Sequence, residues 1–158
     1  MSKLIEFRSV RLEQMEVLKK IVNSNQAFNH LSEGHPKLND EEVLKMYETS
    51  KGQGAVMNFI TDDGDPIGVI DYLMENPSDK MPWLGLLIIH SDYQGQGYAS
   101  KALKKYESLM KEKGIKKVRL GVIKENNPAL NFWINRGFSF YEERLGDKWT
   151  VLCFEKEL

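Results

Sequence analysis

The sequence is poor in cysteine and in long apolar runs. Its single cysteine, Cys153, excludes an internal disulfide and a metal site built from several cysteines. No segment approaches the roughly 18 to 20 apolar residues that a membrane helix needs. The first ten residues, MSKLIEFRSV, contain no apolar stretch long enough for a signal peptide. We therefore expect a cytoplasmic protein with no membrane partner and no metal.

The chain also lacks an excess of charge of either sign. Lys and Arg together number 22 and Asp and Glu 23, which gives a net charge of -1 at pH 7. This balance supplies no general attraction to nucleic acid, so we expect no nucleic-acid partner. With 41% hydrophobic and 28% charged residues, the 158 residues have the composition of an ordinary globular domain. We expect one domain over residues 1–158, either a monomer or a homodimer, with a small-molecule partner.

The hydrophobic pattern predicts elements in the order β-α-α-β-β-β-α-β-α-β-β. Asn39 and Glu42 have the spacing of a capping box and open the second helix, and the Asp-Gly pair in DDGD indicates a hairpin. Asn127 is expected to cap a short helix that contains Pro128. The continuously apolar run WLGLLII predicts a central strand covered on both faces. The expected fold is α/β, a mixed sheet with helices on both faces, in which residues 83–123 form a parallel strand-helix-strand unit.

The segment HSDYQGQGYASKAL, residues 90–103, follows that strand and opens an amphipathic helix. Gly95 and Gly97 permit positive φ and a close approach of the backbone, so the amides and the helix N-terminus form a set of donors suited to phosphate. A plain tight turn is an equal alternative for two glycines alone. A P-loop is excluded because no Gly-Lys-Ser/Thr follows, and Ser100 stands where a dinucleotide fingerprint needs a third glycine.

Two stretches resemble the GNAT superfamily of N-acetyltransferases. Residues 94–99, QGQGYA, are similar to its Q/R-x-x-G-x-G/A signature, and residues 125–138, ENNPALNFWINRGF, are similar to its second conserved block. The order of predicted elements also resembles that fold along nearly the whole chain. The resemblance implies an acetyl-CoA-dependent enzyme that transfers the acetyl group directly, through a tetrahedral intermediate, to a primary amine of a small molecule or protein. The alternatives are a CoA-binding module without catalysis and a general nucleotide binder unrelated to CoA.

The resemblance also implies which residues bind the cosubstrate. The glycine loop would bind the pyrophosphate of CoA, mostly through backbone N–H groups. The end of the fourth strand would expose backbone groups to the pantetheine arm, in a splay between the fourth and fifth strands, and the short helix would close over the thiol. The implied residues are Ile88, Ile89, Gln94, Gly95, Gln96, Gly97, Tyr98, Ala99, Ser100, Asn126, Ala129, Phe132 and Trp133. For Phe132 and Trp133, packing in the core is an equal alternative, because aromatic residues at helical spacing usually fill cores.

The catalytic groups are less well specified. The resemblance implies a backbone N–H at Ile89 as the oxyanion donor. Trp133 stands where many members carry a tyrosine as general acid, and an indole N–H does not deliver a proton at neutral pH. Tyr141 is a substitute acid, Tyr72 is another, and a reaction without an acid is a third possibility. Asp71 is the preferred general base. The other candidates for the base are Glu75, Glu33, His30 and His35.

The resemblance places the acceptor site between the first two helices and the final hairpin, here residues 25–42 and 141–149. The acidic side chains in the first of these segments would suit a cationic amine. Helix capping and solubility explain them equally simply, and we favour that interpretation. These side chains are Glu33, Asp40, Glu41 and Glu42.

Overall fold

The structure is a computed structural model that describes residues 4–158. Five α-helices, seven strands and two short 3-10 helices, Leu12–Gln14 and Ser91–Tyr93, make up the regular structure of this part of the chain, and the α-helices and strands are numbered below. In chain order they are β1 (Ile5–Ser9), α1 (Met15–Asn23), α2 (Gln26–Glu33), α3 (Asp40–Gly52), β2 (Val56–Asp62), β3 (Asp65–Leu73), β4 (Trp83–Ile89), α4 (Tyr98–Glu112), β5 (Lys117–Ile123), α5 (Asn127–Asn135), β6 (Ser139–Leu145) and β7 (Thr150–Glu157). Among these residues no helix is both long and apolar enough to cross a membrane.

All seven strands form one mixed sheet in the order β1-β2-β3-β4-β5-β7-β6. Every neighbouring pair is antiparallel except β4 and β5, which are parallel and are connected through α4. A parallel pair needs a crossover of this kind, because a hairpin turn joins only antiparallel strands. The structure therefore confirms the α/β fold with a mixed sheet that the sequence predicts.

The apolar core lies in two layers, one on each face of the sheet. Between the sheet and α4, Tyr106 and Met110 are fully buried. Between the sheet and the pair α1 and α3, Leu18 and Phe59 are buried in a second cluster. Because successive strand residues point to opposite faces, each central strand contributes to both layers. The two layers hold β4 at the centre of the domain.

Local sequence signals are confirmed at the start of one helix and at one hairpin turn. The side chain of Asn39 accepts a hydrogen bond from the Glu42 amide at 2.9 Å, and the Glu42 side chain accepts one from the Asn39 amide at 3.0 Å. This is the reciprocal capping box that opens α3. Asp63 and Gly64 join β2 to β3 with φ angles of 51° and 88°. Two consecutive positive φ angles are the requirement of a tight hairpin turn, which explains the Asp-Gly pair.

Helix α2, Gln26–Glu33, is absent from the predicted order of elements. The sequence predicts a break at Gly34 and Pro36, and the helix does end at Gly34, whose φ is 86°. Asn29 is buried in α2 and donates to the carbonyl oxygens of Val22 and Pro36 at 3.0 and 2.9 Å. A polar side chain faces inward there, which hides the hydrophobic period that identifies a helix.

The start of α5 also differs from the prediction by one residue. Asn126, not Asn127, is the N-cap, and its side-chain oxygen accepts from the Ala129 amide at 3.3 Å. Asn127 is the first helical residue, and Pro128 still lies in the first turn, where its missing N–H costs nothing. The two consecutive asparagines made the local signal ambiguous.

We expect Asn39→Ala to lower the free energy of unfolding by about 1 kcal/mol, because it removes one half of the capping box. Urea denaturation measures this change. Glu48→Ala is the matched control, since Glu48 is exposed on the same helix and outside the cap. A surface substitution of that kind should stay within about 0.5 kcal/mol of the wild type. Equal losses in the two variants would contradict the role of the cap.

Candidate active site

Strands β4 and β5 separate after a short paired stretch. They pair at Trp83–Arg119 and Leu84–Leu120, although β4 continues to Ile89 and β5 to Ile123. The separation opens a cavity of about 1050 Å³, which is also bordered by the junction of α1 and α2, the loop before α4, and α5. One edge of β4 therefore faces a cavity where a neighbouring strand would otherwise lie.

The backbone groups of β4 divide between β3 and the cavity in a fixed alternation. The His90 amide donates to the Ile67 carbonyl of the neighbouring chain segment at 2.8 Å. In an antiparallel ladder the groups of successive residues point to opposite sides, so Ile88 pairs with β3. Leu87 and Ile89 then direct their N–H and C=O groups toward the cavity. By this alternation the backbone of Leu87, rather than that of Ile88, faces the cavity, although Ile88 also borders it.

A bulge at Gly85 produces this alternation. Tyr72 pairs with Leu84 and the adjacent Asp71 pairs with Leu86, so Gly85 is an extra residue in β4. The extra residue lets Leu84 face β5 while Leu86 faces β3. Gly85 is exposed and Leu86 is only partly buried, which corrects the interpretation of WLGLLII as a strand covered on both faces. The apolar run borders an open cleft over part of its length.

The glycine loop lies at the wide end of the cavity. Gly95 and Gly97 have φ angles of 76° and 84°, and Gly97 is the N-cap of α4. A Cβ at either position would meet nothing within 4 Å, so glycine is favoured there by its φ alone. Residues at the start of α4 border the same cavity as Ile89. The structure thus brings the predicted phosphate loop and the predicted strand end into one site.

Tyr98 lies in this loop, but its side chain belongs to the core. The ring is buried and the hydroxyl donates to a carboxylate oxygen of Asp62, at the end of β2. This hydrogen bond, together with burial, raises the pKa of Tyr98 to about 12. The side chain anchors the first turn of α4 to the sheet, which leaves the backbone of Tyr98 as the part that borders the cavity.

Side-chain amides connect the loop, the end of β4 and the junction of α1 and α2. Gln94 Nε2 donates to the Ile89 carbonyl at 2.9 Å and to Asn25 Oδ1 at 2.8 Å. Asn25 Nδ2 also reaches the Ile89 carbonyl at 3.3 Å, and the Ser91 amide donates to Ser24 Oγ at 3.0 Å. The side chain of Gln94 therefore holds the strand end in place. The sequence does not mark Asn25 as a site residue, because its partners in the site, Ile89 and Gln94, lie more than 60 residues away.

Arg136 is a further cavity residue that the sequence does not single out. Its Nη2 and Nε donate to Ser100 Oγ at 2.7 and 3.0 Å, and its guanidinium lies 3.9 Å from the centre of the Phe132 ring. These contacts place a permanent positive charge beside the N-terminus of α4, which itself favours anions. The available signal was an arginine immediately before Gly137, at the end of the second block.

The remaining α5 residues combine packing with access to the cavity. Ala129, Phe132 and Trp133 all border it. The Trp133 ring packs edge-to-face on Phe132 and Phe138, with centroids 4.9 and 5.3 Å apart. Trp133 is only partly buried, so it serves the core and the cavity wall together. Asn126 borders the cavity as well, and its side-chain oxygen is engaged in the helix cap.

The predicted substitute acids do not border the cavity. Tyr141 lies under the guanidinium of Arg119, which is 4.5 Å from the ring centre, and burial raises the pKa of Tyr141 to about 12. Tyr72 packs edge-to-face on Tyr106 in the α4 layer, with centroids 5.2 Å apart. Both tyrosines stand apart from the place where Ile89 meets the cavity, so neither is positioned to protonate a leaving group there.

The candidate bases are also dispersed. Asp71 lies next to Ser50 of α3, away from the cavity, and burial raises its pKa. Of the other candidates, only His30 borders the cavity. The rest contact side chains outside the cavity. These contacts are Glu75 with Lys80 at 4.0 Å, His35 with Glu42 at 2.8 Å, and Glu33 with Lys148 at 3.5 Å.

The cavity is also bordered by a contact between α2 and the β6–β7 hairpin, where the acceptor is expected from the sequence. Trp149 Nε1 donates to the Ser32 carbonyl at 3.1 Å, and both residues border the cavity. The predicted acidic side chains lie elsewhere, with Asp40 paired to Lys19 at 2.7 Å and Glu42 in the capping box. Within residues 4–158, Glu125 is the one carboxylate that borders the cavity.

Comparison with known proteins defines the class. The profile of the acetyltransferase (GNAT) family matches residues 19–138. The chain therefore belongs to the GNAT family of acetyltransferases. No curated protein sequence matches it. The resemblance through the glycine loop and the second block is confirmed.

Solved structures show the same fold at low sequence identity. An acetyltransferase from Thermus thermophilus aligns with a TM-score of 0.84 and 19% identity, covering 98% of this chain and 97% of that one. The PaiA N-acetyltransferase from Thermoplasma acidophilum, in complex with coenzyme A, aligns at 0.68 and 20%, covering 100% of both. A Salmonella typhimurium acetyltransferase that modifies the N-terminal serine of ribosomal protein L7/L12 aligns at 0.80 and 18%, covering 99% and 96%.

The Tyr98–Asp62 bond makes a pH-dependent contribution to stability. Because the folded pKa of about 12 lies above the unfolded value of ~10, this contribution is complete below about pH 10. It is lost as the pH rises through about 12. We expect Tyr98→Phe to be less stable than the wild type at pH 8, with the difference shrinking toward pH 12, as measured by urea denaturation. Tyr93→Phe, which keeps the bond, is the control. A difference that stays constant with pH would refute the assignment.

Proposed function

We propose that the protein is an acetyl-CoA-dependent N-acetyltransferase, a single catalytic domain over residues 1–158, that acts on a primary amine of a small molecule or protein. One observation carries the proposal. The open backbone edge of β4 at Leu87 and Ile89 continues into the glycine loop within one cavity. Such a site offers strand-like hydrogen bonds to an extended amide chain and clustered amides to a pyrophosphate, and the pantetheine arm and the pyrophosphate of CoA have this chemistry. The cytoplasmic location and the choice between monomer and homodimer stay predictions of the sequence.

The donor set fits CoA in its order along the cavity. Gly95, residues 97–100 and the guanidinium of Arg136 lie at the end that would hold the pyrophosphate, whereas Gln96 does not border the cavity. Leu87 and Ile89 lie further along, where the amides of the pantetheine arm would pair with β4. Coenzyme A bound to the PaiA N-acetyltransferase supports this assignment by the shared fold.

Transfer from the thioester requires an oxyanion donor, and the alternation along β4 directs the Ile89 N–H toward the cavity. In the proposed reaction the amine nitrogen attacks the thioester carbon, a tetrahedral intermediate forms, the C–S bond breaks, and CoA leaves as the thiolate. A preorganised donor at the oxyanion contributes about 3 kcal/mol. We propose the Ile89 amide for this role because it belongs to the cavity edge of β4 and is held by Gln94.

The proposed route of the protons is based on which candidate side chains border the cavity. A thiol pKa near ~8.5 makes the thiolate an acceptable leaving group. The nitrogen becomes positively charged when the neutral amine attacks, so a proton from this nitrogen of the tetrahedral intermediate can pass to the thiolate without a side-chain acid. The distant positions of Tyr141 and Tyr72 support this version. For the base we retain His30, acting through water, because it alone of the sequence candidates borders the cavity.

A CoA-binding module without catalysis is the second candidate function. It is favoured by Trp133, which occupies the position of the usual tyrosine and offers no proton at neutral pH. Mixing the protein with acetyl-CoA and a panel of amines, including peptides with a free N-terminal serine, and measuring free thiol separates the two candidates. Acceptor-dependent release of thiol supports the enzyme. Tight CoA binding, with no release of free thiol in the presence of any amine, supports the module.

Gly97→Val should weaken CoA binding at least about tenfold, because a β-branched residue at positive φ displaces the loop amides from the pyrophosphate. Calorimetry on the folded variant measures the affinity. Gly54→Val is a matched control, since Gly54 has a φ of 73° and an equally open Cβ position in a turn outside the cavity. Unchanged affinity in folded Gly97→Val would remove the basis of the phosphate assignment.

Trp133→Phe should reduce kcat by about tenfold or less. The substitution removes a neutral hydrogen-bond donor, worth ~1 kcal/mol, and no titrating proton. Steady-state kinetics with saturating acetyl-CoA measure the effect. A loss of about a hundredfold or more, with CoA affinity unchanged, would show that Trp133 takes part in the chemistry in a way that an aromatic wall does not explain.

A further inference from the structure

The sheet consists of two antiparallel halves joined at one narrow seam. Strands β1 to β4 form one half, and β5, β7 and β6 form the other. Two residue pairs connect the halves, Trp83–Arg119 and Leu84–Leu120, together with a hydrogen bond from the Arg119 amide to the Pro82 carbonyl at 3.0 Å. Beyond Leu84 the halves diverge and the cavity begins. The geometry of the cavity therefore depends on how firmly this seam is held.

A polar cluster occupies the seam, which we call the seam clamp and define as Asp79, Trp83, Arg119 and Glu155. Arg119 Nη1 lies 3.1 Å from Asp79 Oδ2, and Arg119 Nη2 lies 3.0 Å from Glu155 Oε1. Trp83 Nε1 donates to Asp79 at 2.8 and 3.0 Å. Asp79 precedes β4 in one half, and Glu155 lies on β7 in the other. One guanidinium thus bonds to both halves.

Packing around the clamp also crosses the seam. The Arg119 guanidinium lies over the Tyr141 ring of β6, 4.5 Å from its centre. A Cβ on Gly121 of β5 would lie 2.7 Å from Val151 Cγ1 and 3.6 Å from the Trp83 ring. The indole of Trp83 therefore reaches from β4 onto β5 and packs beside Gly121, where Val151 of β7 leaves no room for a Cβ. Gly121 itself borders the cavity, so the clamp and the cavity share a wall.

The clamp is well shielded and fully paired. The side chains of Asp79, Arg119 and Glu155 are 14%, 21% and 25% exposed. Burial alone would raise the pKa of Asp79, but hydrogen bonds from the Met81 amide, Trp83 and Arg119 outweigh it and lower that pKa. An ionised Asp79 with this many donors holds a defined position, because partly buried charges are tolerated only when they are paired.

We propose that Asp79 and Arg119 are positioning residues for the cosubstrate, which act by fixing the spacing of β4 and β5 at the closed end of the cavity. This inference rests on the proposed function, since the ligand is CoA. Binding between two strands requires the separation at which both edges can contact the ligand. When the seam is loosened, some molecules have other distances between β4 and β5. The apparent affinity for CoA then falls in proportion to the fraction of molecules that keep the distance that binds CoA. Neither side chain borders the cavity, so their effect on CoA passes through the seam.

Two conservative substitutions test the clamp. Arg119→Lys keeps the charge but loses the forked geometry that bonds to two carboxylates, and Asp79→Asn keeps the shape but loses the charge. If a loosened seam keeps the competent spacing about one-tenth of the time, each variant binds CoA about tenfold more weakly by calorimetry. Lys117→Met is the matched control, because Lys117 pairs with Glu155 at 3.5 Å but within one half. It should bind CoA like the wild type.

A combined variant and an exchange measurement exclude a merely structural role. Asp79→Asn with Arg119→Lys should weaken CoA binding less than the two single effects added together, because both act on one contact. In Asp79→Asn without ligand, the Arg119 amide, bonded to Pro82, should exchange its hydrogen faster than in the wild type. Unchanged CoA affinity in both single variants, despite lower stability in urea, would overturn the proposal.

The same experiments distinguish a failure of the proposed function from a failure of the positioning role. A wild-type protein that does not bind CoA would refute the cosubstrate assignment and with it the positioning role. The exchange of the Arg119 amide would then report on the seam alone. Normal CoA binding by the wild type together with equal binding by Arg119→Lys and Asp79→Asn would refute only the positioning role.

Discussion

Strand β4 loses its parallel neighbour after two residue pairs, and this loss of backbone pairing is the constraint on which the site depends. The N–H and C=O of Leu87 and the N–H of Ile89 then face a cavity without a strand to receive them, while the Ile89 carbonyl accepts from Gln94 and Asn25. Backbone groups withdrawn from water carry a free-energy penalty unless they are paired, so this edge favours an occupant that can complete the ladder. The bulge at Gly85 selects these two residues, because it shifts the alternation of β4 by one position.

The two ends of the cavity are held by different interactions. At the wide end, Gln94 and Asn25 donate hydrogen bonds to the Ile89 carbonyl. These bonds hold the glycine loop, the end of β4 and the junction of α1 and α2 in one arrangement. At the closed end, Asp79 and Arg119 join the halves of the sheet. Neither arrangement contributes a reactive group. In the proposed reaction a backbone amide stabilises the oxyanion, His30 acts as the base through water, and no side-chain acid takes part, which is consistent with Trp133 in place of the usual tyrosine.

The parts predicted from the sequence are those with local causes. A capping box, an Asp-Gly hairpin and a glycine loop before a helix are each specified within a few residues, and each is present in the structure. The residues that were predicted but lie outside the cavity, and those that the sequence did not mark, depend on contacts between distant parts of the chain. Tyr141 stands at a register shift in β6, between Phe140 and Glu142, so its face does not follow from simple alternation. Asn25 meets Gln94 across 69 residues, and no local pattern marks such a contact.

Residue-resolved amide hydrogen exchange by NMR, with and without CoA, tests the central claim most directly. If CoA pairs with the open edge of β4, the amides of Leu87 and Ile89 will become strongly protected when it binds. The Ile88 amide, which pairs with β3, will be protected in both states and will serve as the internal control. Saturating CoA that leaves the exchange of Leu87 and Ile89 unchanged would contradict the account, because the cosubstrate would then lie elsewhere than along this strand.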